Sequence, residues 1–263
     1  MANKKESTVK TFLIVFVLCL ICSIFVAGVT VSLRGIQEKA KALDKQSNIV
    51  LVSGLKYDPD KDDAGEIFKA HIETKLLNLS TGIFVTDANI KDPNDFDYVG
   101  AAKKKEYKVA IDKTKYKLGI PARSKIVPVY IARDDQKNIV SYILPFYGQG
   151  LWSTLYGLLA VKADGNEIVG INFYEHGETP GLGGEISNPV WTAKWKGKQV
   201  YLNDKIVKVV KGPAPAGSKI EVDGISGATL TGVGVTNSLD YWLSENGYKP
   251  FLTKLFLTKL IGE

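Results

Sequence analysis

The chain has 263 residues, 45% of them hydrophobic and 24% charged, an ordinary globular mix. Its net charge of +6 is spread along the chain rather than held in one arm, which excludes a disordered acidic tail and gives no reason to expect nucleic acid. The length admits one or two domains with a sizeable core, and two histidines with two cysteines leave few ligands for a protein-built metal site, so none is expected.

Thr11 to Leu33 runs without a charge. As a helix it reaches about 34 Å, enough for a hydrocarbon core of about 30 Å. Lys4, Lys5 and Lys10 resemble the n-region of a cleaved signal, but the apolar run exceeds a usual h-region and no A-x-A site closes it. Ile21 also stands where a lipidation site before Cys22 needs a small residue. The expectation is a cytoplasmic tail over residues 1–10 and a single uncleaved span over 11–33. Arg34, Lys39, Lys41 and Lys45 nearly balance the lysines ahead of the span. A short leading tail stays cytoplasmic, which puts the bulk of the chain outside. Cys19 and Cys22 both lie in the span and read as small apolar residues. No cysteine follows, which excludes thiol catalysis, disulfides and cysteine-bound iron–sulfur clusters from the remainder.

After the span, Leu33, Ile36, Ala40, Leu43 and Ser47 continue a helical stripe. Tyr57 to Glu66 is Asp-rich but no EF-hand: Asp63 stands where that loop demands Gly, and Lys69 where it needs the bidentate Glu. A helix is predicted over Ile67–Leu79 and a charged irregular stretch over Lys103–Tyr116. Residues 34–125 are therefore set apart as a membrane-proximal mixed region and 126–263 as an α+β domain. In the latter, Ile126–Arg133 and Ile139–Pro145 flank a polar turn, and Leu155–Ala163 and Glu167–Tyr174 flank Asp164-Gly165-Asn166, two hairpin patterns. Ile186–Trp195 reads as helical, Ile206–Val210 and Ile220–Val222 as strands, and Val233–Ser244 as a helix. The repeat FLTKL-FLTKL (Phe251–Leu260) fits a short amphipathic helix packed on the domain. The sum is α+β: an antiparallel sheet with flanking helices behind one membrane helix.

Three segments concentrate chemistry. Asp223-Gly224-Ile225-Ser226-Gly227-Ala228-Thr229-Leu230-Thr231 follows a predicted strand and opens a predicted helix. Free amides and the helix dipole at such a turn suit a phosphate; the alternative is an ordinary N-cap supplied by Ser226 or Thr229. A nucleophilic serine is disfavoured, because Ala228 breaks the G-x-S-x-G pattern and neither His71 nor His176 has a triad context. The second segment, Glu175 to Glu185, carries four glycines and Pro180, a shaped loop of exposed amides for a planar or anionic ligand. Its His176, Glu178 and Glu185 are weak metal ligands. The third, Gly148-Gln149-Gly150-Leu151-Trp152-Ser153, would let Trp152 pack on a flat ring, or serve only in the core.

DGISGAT resembles the attachment signature of FMN-binding domains, and EHGETPGLGGEI and GQGLWS resemble that family's companion motifs in the same order. With one N-terminal span and this length, the chain is similar to the C subunits of the sodium-translocating NADH:quinone oxidoreductases (Nqr). The resemblance implies a flavoprotein electron carrier, with FMN joined by a phosphoester to Thr229. It implies that Asp223, Gly224, Ser226, Gly227 and Ala228 shape the turn read by a flavin transferase. Glu178, Thr179, Leu182 and Gly183 would border the isoalloxazine, Trp152 and Ser153 complete the pocket, and Lys211 place a charge near phosphate or ring. It further implies partner subunits, a flavin transferase in maturation, a lipid bilayer and an extracytoplasmic, periplasmic location at a bacterial inner membrane. Two alternatives stand beside it: the G subunit of the Rnf ferredoxin:NAD complex, whose chains lack so long a segment between Ser47 and Ile126, and a membrane-anchored binding module without redox chemistry.

Overall fold

The computed structural model describes residues 8–262, so Lys4, Lys5 and most of the expected tail lie outside the described residues. The chain divides into two units, Met1–Lys45 and Gln46–Glu263. The first is most of α1 (Thr8–Val52), a 45-residue helix whose most apolar stretch has a mean hydropathy of 3.1 and no buried residue. It is long and apolar enough to cross a membrane. The hydroxyls of Ser23, Thr30 and Ser32 each donate to the carbonyl four residues back, which satisfies them without water. The stripe expected from Leu33 to Leu43 does not bury: Leu33, Ile36 and Leu43 are exposed.

The second unit begins with the last turns of α1, where Ile49, Val50 and Val52 pack with Phe68 and Tyr130. α2 (Ala64–His71) follows, its first amides capped by the Asp63 carboxylate. The predicted helix over Ile67–Leu79 ends here, because β1 (Ile72–Asn78) pairs with β5 along its whole length, from Ile72 opposite Ala132 to Asn78 opposite Ile126. The apolar spacing that suggested a helix serves a strand buried on both faces: Leu76 and Leu77 are both in the interior.

The chain then forms β2 (Ile83–Val85), α3 (Tyr98–Ala101), β3 (Lys108–Ala110) and β4 (Ala122–Ser124). The main sheet continues with β5 (Ile126–Arg133), β6 (Ile139–Gln149), β7 (Thr154–Lys162) and β8 (Ile168–Glu175). Its order is β2-β1-β5-β6-β7-β8, antiparallel at every step. It therefore draws strands from both sides of the division expected at residue 125. Both faces are covered. Val127, Val129 and Ile131 of β5 enter the larger core, while Tyr130 and Ala132 meet the end of α1 and α2.

Beyond β8 the predicted helix over Ile186–Trp195 is broken into a turn at Gly183–Ser187, α4 (Pro189–Thr192) and a turn at Ala193–Trp195. Pro189 removes an amide donor and restarts the chain at the first position of α4. Short strands β9 (Tyr201–Leu202) and β10 (Lys205–Ile206) form one hairpin. β11 (Lys208–Val209) and β12 (Glu221–Val222) pair parallel in a small sheet apart from the expected antiparallel one. α5 (Thr229–Trp242) starts four residues earlier than predicted, at Thr229 itself, and lies across β6.

The last element is α6 (Lys249–Gly262). In the first copy of the FLTKL repeat, Phe251 and Leu252 are buried, with Phe251 edge-on to Phe84 and Tyr142. In the second copy, Phe256 and Leu257 are exposed. Just before α6, the buried Tyr248 hydroxyl donates to the Pro145 carbonyl at 2.6 Å. Tyr248→Phe leaves that carbonyl without this donor, and chemical denaturation is expected to show a loss of about 1–2 kcal/mol.

Candidate functional site

The site is built around the first turns of α5. Ahead of them, the β11–β12 pair sets residues 208–212 beside 221–224, extended by Val210 N–H to Val222 O at 2.9 Å and Gly224 N–H to Gly212 O at 2.8 Å. A Cβ at Gly224 would stand 2.4 Å from the Val210 carbonyl oxygen, so only glycine allows the two segments this close. Asp223 joins the segments further: its carboxylate accepts from Ala214 N–H at 2.8 Å and pairs with Lys194 at 2.6 Å.

The N-cap of α5 is Ala228, and no side chain caps the helix. The expectation that Ser226 or Thr229 supplies the cap is thus corrected; both are exposed on the outer surface of the turn. No acidic residue stands in the first turn either. This leaves amide donors and the positive end of the helix dipole facing outward, a setting that stabilises an anion. Thr229, the first helical residue, borders a cleft with Gly224, Ile225 and Val233 on its side and Val209 to Gly212, including Lys211, on the other. The cleft holds about 60 Å³. That admits a phosphate but no ring system, for which sites of roughly 300 Å³ or more are usual. A ring attached here would lie on the surface outside, where Trp152, Leu182, Leu230 and Val233 are exposed apolar side chains.

The second and third segments meet the first through Glu178. Only 5% of this residue is exposed, and its carboxylate is satisfied entirely from within. One oxygen accepts from Trp152 N–H at 2.9 Å and Ser153 N–H at 3.4 Å. The other accepts from Leu151 N–H at 3.3 Å and the buried Thr231 hydroxyl at 2.5 Å. Burial alone pushes the carboxyl up, but the Thr231 hydroxyl and the three amides outweigh it and hold the group below its ordinary value. Glu178 therefore directs its carboxylate inward as the tie between the GQGLWS loop and α5. Of the residues expected to border the ring, Thr179 and Leu182 are exposed, whereas Glu178 and Gly183 are buried.

Gly183 seats that loop against the helix. A Cβ there would meet the Thr231 hydroxyl at 2.5 Å and the Glu178 carboxylate at 2.9 Å. At Gly227, which has φ +71°, a Cβ would lie 2.8 Å from a Leu182 methyl, so Leu182 covers the turn ahead of α5. Ser153 accepts from Gly177 N–H at its hydroxyl and closes the loop on the other side. Both ring nitrogens of His176 are engaged: Nδ1 accepts from Glu178 N–H at 3.3 Å, so Nε2 donates to Ser187 Oγ at 2.8 Å. Glu185 accepts from the Asn188 amide. No group of three metal-ligating side chains occurs among the described residues. The structure thus brings Thr229, Lys211, Gly224, Gly227, Leu182, Gly183, Glu178, Trp152 and Ser153 into one neighbourhood. Thr231, a member of the singled-out segment with no role assigned to it, joins through Glu178, and Trp191 and Lys194 join without any signal in the sequence.

An uncapped helix N-terminus behind a Gly-lined cleft, with exposed apolar side chains beside it, defines a surface site for a phosphate-bearing planar cofactor. Residues 150–244 match the family of FMN-binding domains, so this unit is of the flavin-binding class. Over nearly its whole length the chain is similar to the C subunits of Na(+)-translocating NADH-quinone reductases. It is 43% identical to that of Yersinia pestis over 257 residues, covering 96% of this chain and 95% of the relative. It is 44% identical to that of Neisseria meningitidis serogroup B over 260 residues, covering 97% and 98%. The crystal structure of Shewanella oneidensis NqrC superimposes with a TM-score of 0.75 at 36% identity, covering 82% of this chain and 98% of that one. The corresponding protein from Parabacteroides distasonis gives 0.65 at 33% identity, covering 84% and 97%. The chain belongs to the NqrC family, the C subunits of the Na(+)-translocating NADH-quinone reductases. The matches span the long segment between Ser47 and Ile126, on which the choice against the Rnf G subunit rested.

The residues present fit FMN. Its phosphate would find outward amides, the α5 dipole and Lys211 at the cleft, and its ring would find Leu182 and Trp152 on the adjoining surface. Gly224 and Gly227 keep the cradle free of side chains that would fill it.

Proposed function

We propose that the chain is the FMN-carrying, electron-transferring subunit of a sodium-translocating NADH:quinone reductase, with the FMN phosphate esterified to Thr229. The observation that carries the reading is the placement of Thr229: an exposed hydroxyl at the first position of an uncapped helix, at the mouth of a cleft sized for phosphate. When bound, the flavin supplies electron transfer between a donor and an acceptor in neighbouring subunits.

The protein's own part is to hold the group. A tether replaces binding affinity, since so small a cleft offers little enclosure to a diffusible cofactor. Lys211 and the α5 amides offset the phosphate charge, and Leu182 and Trp152 cover ring surface without enclosing it, so a partner can approach closely. The helix over 11–33 anchors the chain in a lipid bilayer with the bulk of the chain extracytoplasmic, where a flavin transferase completes it. Its partners are the other subunits of the reductase.

Intact mass of the full chain, produced with its flavin transferase and purified in detergent, tests this directly. The expected mass exceeds the bare chain by one FMN less a water, and the denatured band fluoresces. A bare-chain mass from cells with an active transferase would sink the reading and favour a non-redox binding module.

A further inference from the structure

We infer that Lys194, with Trp191, is the positioning element of the flavin-attachment turn. The inference rests on the reading of Thr229 as the attachment site. Three contacts converge on Asp223, the residue that begins the turn. Lys194 Nζ pairs with its Oδ2 at 2.6 Å, and Trp191 Nε1–H donates to its carbonyl at 2.9 Å. Its Oδ1 accepts from Ala214 N–H at 2.8 Å. The cleft at Thr229 lies between residues 209–212 and a second wall that starts at Gly224, and the Asp223–Ala214 contact ties the two segments together just beside it. One carboxylate thereby holds the wall that carries Lys211, while its backbone is fixed from behind by a tryptophan that is 6% exposed.

The pair has an electrostatic role as well as a steric one. Asp223 begins a turn that receives a phosphate, and an uncompensated carboxylate there repels the incoming anion. Lys194 lies beside it and Lys198 acts from farther off; the hydrogen bond from Lys194 holds the carboxyl below the usual carboxylate range, with the Ala214 amide adding to it. Lys194 thus cancels a charge that the turn needs for its shape. It lies outside every motif, in the turn after α4, and touches neither Thr229 nor the expected ring surface through any contact the structure records.

Attachment itself forms the bond from Thr229 Oγ to phosphorus while the P–O–P bond of a flavin dinucleotide donor breaks. The hydroxyl proton passes from Thr229 to solvent, and a nucleoside monophosphate departs with the bridging oxygen and its electron pair. Lys194 takes no part in the bond changes and acts through Asp223 alone, as a positioning residue.

The test uses the full chain, purified without flavin in detergent and incubated with purified flavin transferase and flavin adenine dinucleotide. Fluorescence of the denatured band is followed against time. Lys194→Met is expected to slow attachment at least tenfold. Its melting temperature should stay within about 3 °C of wild type, because a half-exposed ion pair contributes little to stability. Lys194→Arg keeps the charge and a donor, and is expected to recover most of the rate. Trp191→Phe keeps an aromatic side chain but removes the N–H together with part of the buried indole; it should slow attachment by a smaller factor. Wild-type attachment by Lys194→Met, or no recovery in Lys194→Arg, would overturn the inference while leaving Thr229 as the site. An unmodified wild type would overturn the Thr229 reading, and this one with it.

Discussion

Thr229→Ala is expected to abolish covalent flavin and leave the fold intact. Thr229 is exposed at the first position of α5, and the helix has no side-chain cap to lose. Alanine is also the better helix former, by a few tenths of a kcal/mol, so the melting temperature should hold or rise slightly. Ser226 does not substitute, because it precedes the helix in the turn before Ala228 and is held apart from the first-turn position that Thr229 occupies. Intact mass should therefore show a bare chain, and quinone reduction by the assembled complex should fall at least a hundredfold. Thr229→Ser keeps the hydroxyl and is expected to restore fluorescence to the denatured band. Covalent flavin persisting in Thr229→Ala would move the attachment site elsewhere and overturn the proposal.

The legible parts of this molecule are those whose chemistry is local. The turn residues Asp164-Gly165-Asn166 announce the β7–β8 hairpin, and an uninterrupted apolar run announces α1, because each signal is complete within its own stretch of chain. β1 is the counterexample. Its Leu76 and Leu77 are buried on opposite faces, so no period of two marks the strand, and only the seven-residue ladder with β5 decides against a helix. The same holds at the site. The turn from Asp223 to Thr229 is readable because its glycines and hydroxyls are contiguous. Glu178 is readable as a member of its loop, but the direction of its carboxylate depends on Thr231, 53 residues away. Lys194 is 29 residues from Asp223 and sits among four lysines, Lys194, Lys196, Lys198 and Lys205, that spacing alone cannot rank. What the chain brings together across such separations is visible only once it is folded.

Glu178 carries the second large effect. Glu178→Gln replaces one carboxylate oxygen by an amide nitrogen, which cannot accept. If the nitrogen faces Leu151 N–H and Thr231, the Thr231 hydroxyl can turn to accept from it but Leu151 N–H loses its acceptor; on the other side Trp152 N–H and Ser153 N–H both lose theirs. Either way at least one amide donor is stranded and four bonds to a charged acceptor are lost or weakened. The cost is about 3 kcal/mol, since bonds to a charged group are stronger than neutral ones and unmade buried bonds leave their desolvation unrepaid. For a chain of this size that lowers the melting temperature by roughly 6–12 °C. The effect should carry a pH signature. The folded carboxyl sits below the ordinary value of 4.5, so its contribution is complete above that value and is lost as pH falls through the lower folded one. The gap between wild type and Glu178→Gln should therefore be widest near neutrality and narrow below about pH 4.5. Thermal melts of both proteins across pH 3 to 7 decide it. A gap that stays constant through the acid range would mean that the ionised carboxylate is not what ties the GQGLWS loop to α5. A narrowing gap, with weakened flavin attachment in the variant, would identify Glu178 as the residue that keeps Leu182 and Trp152 in place around the flavin.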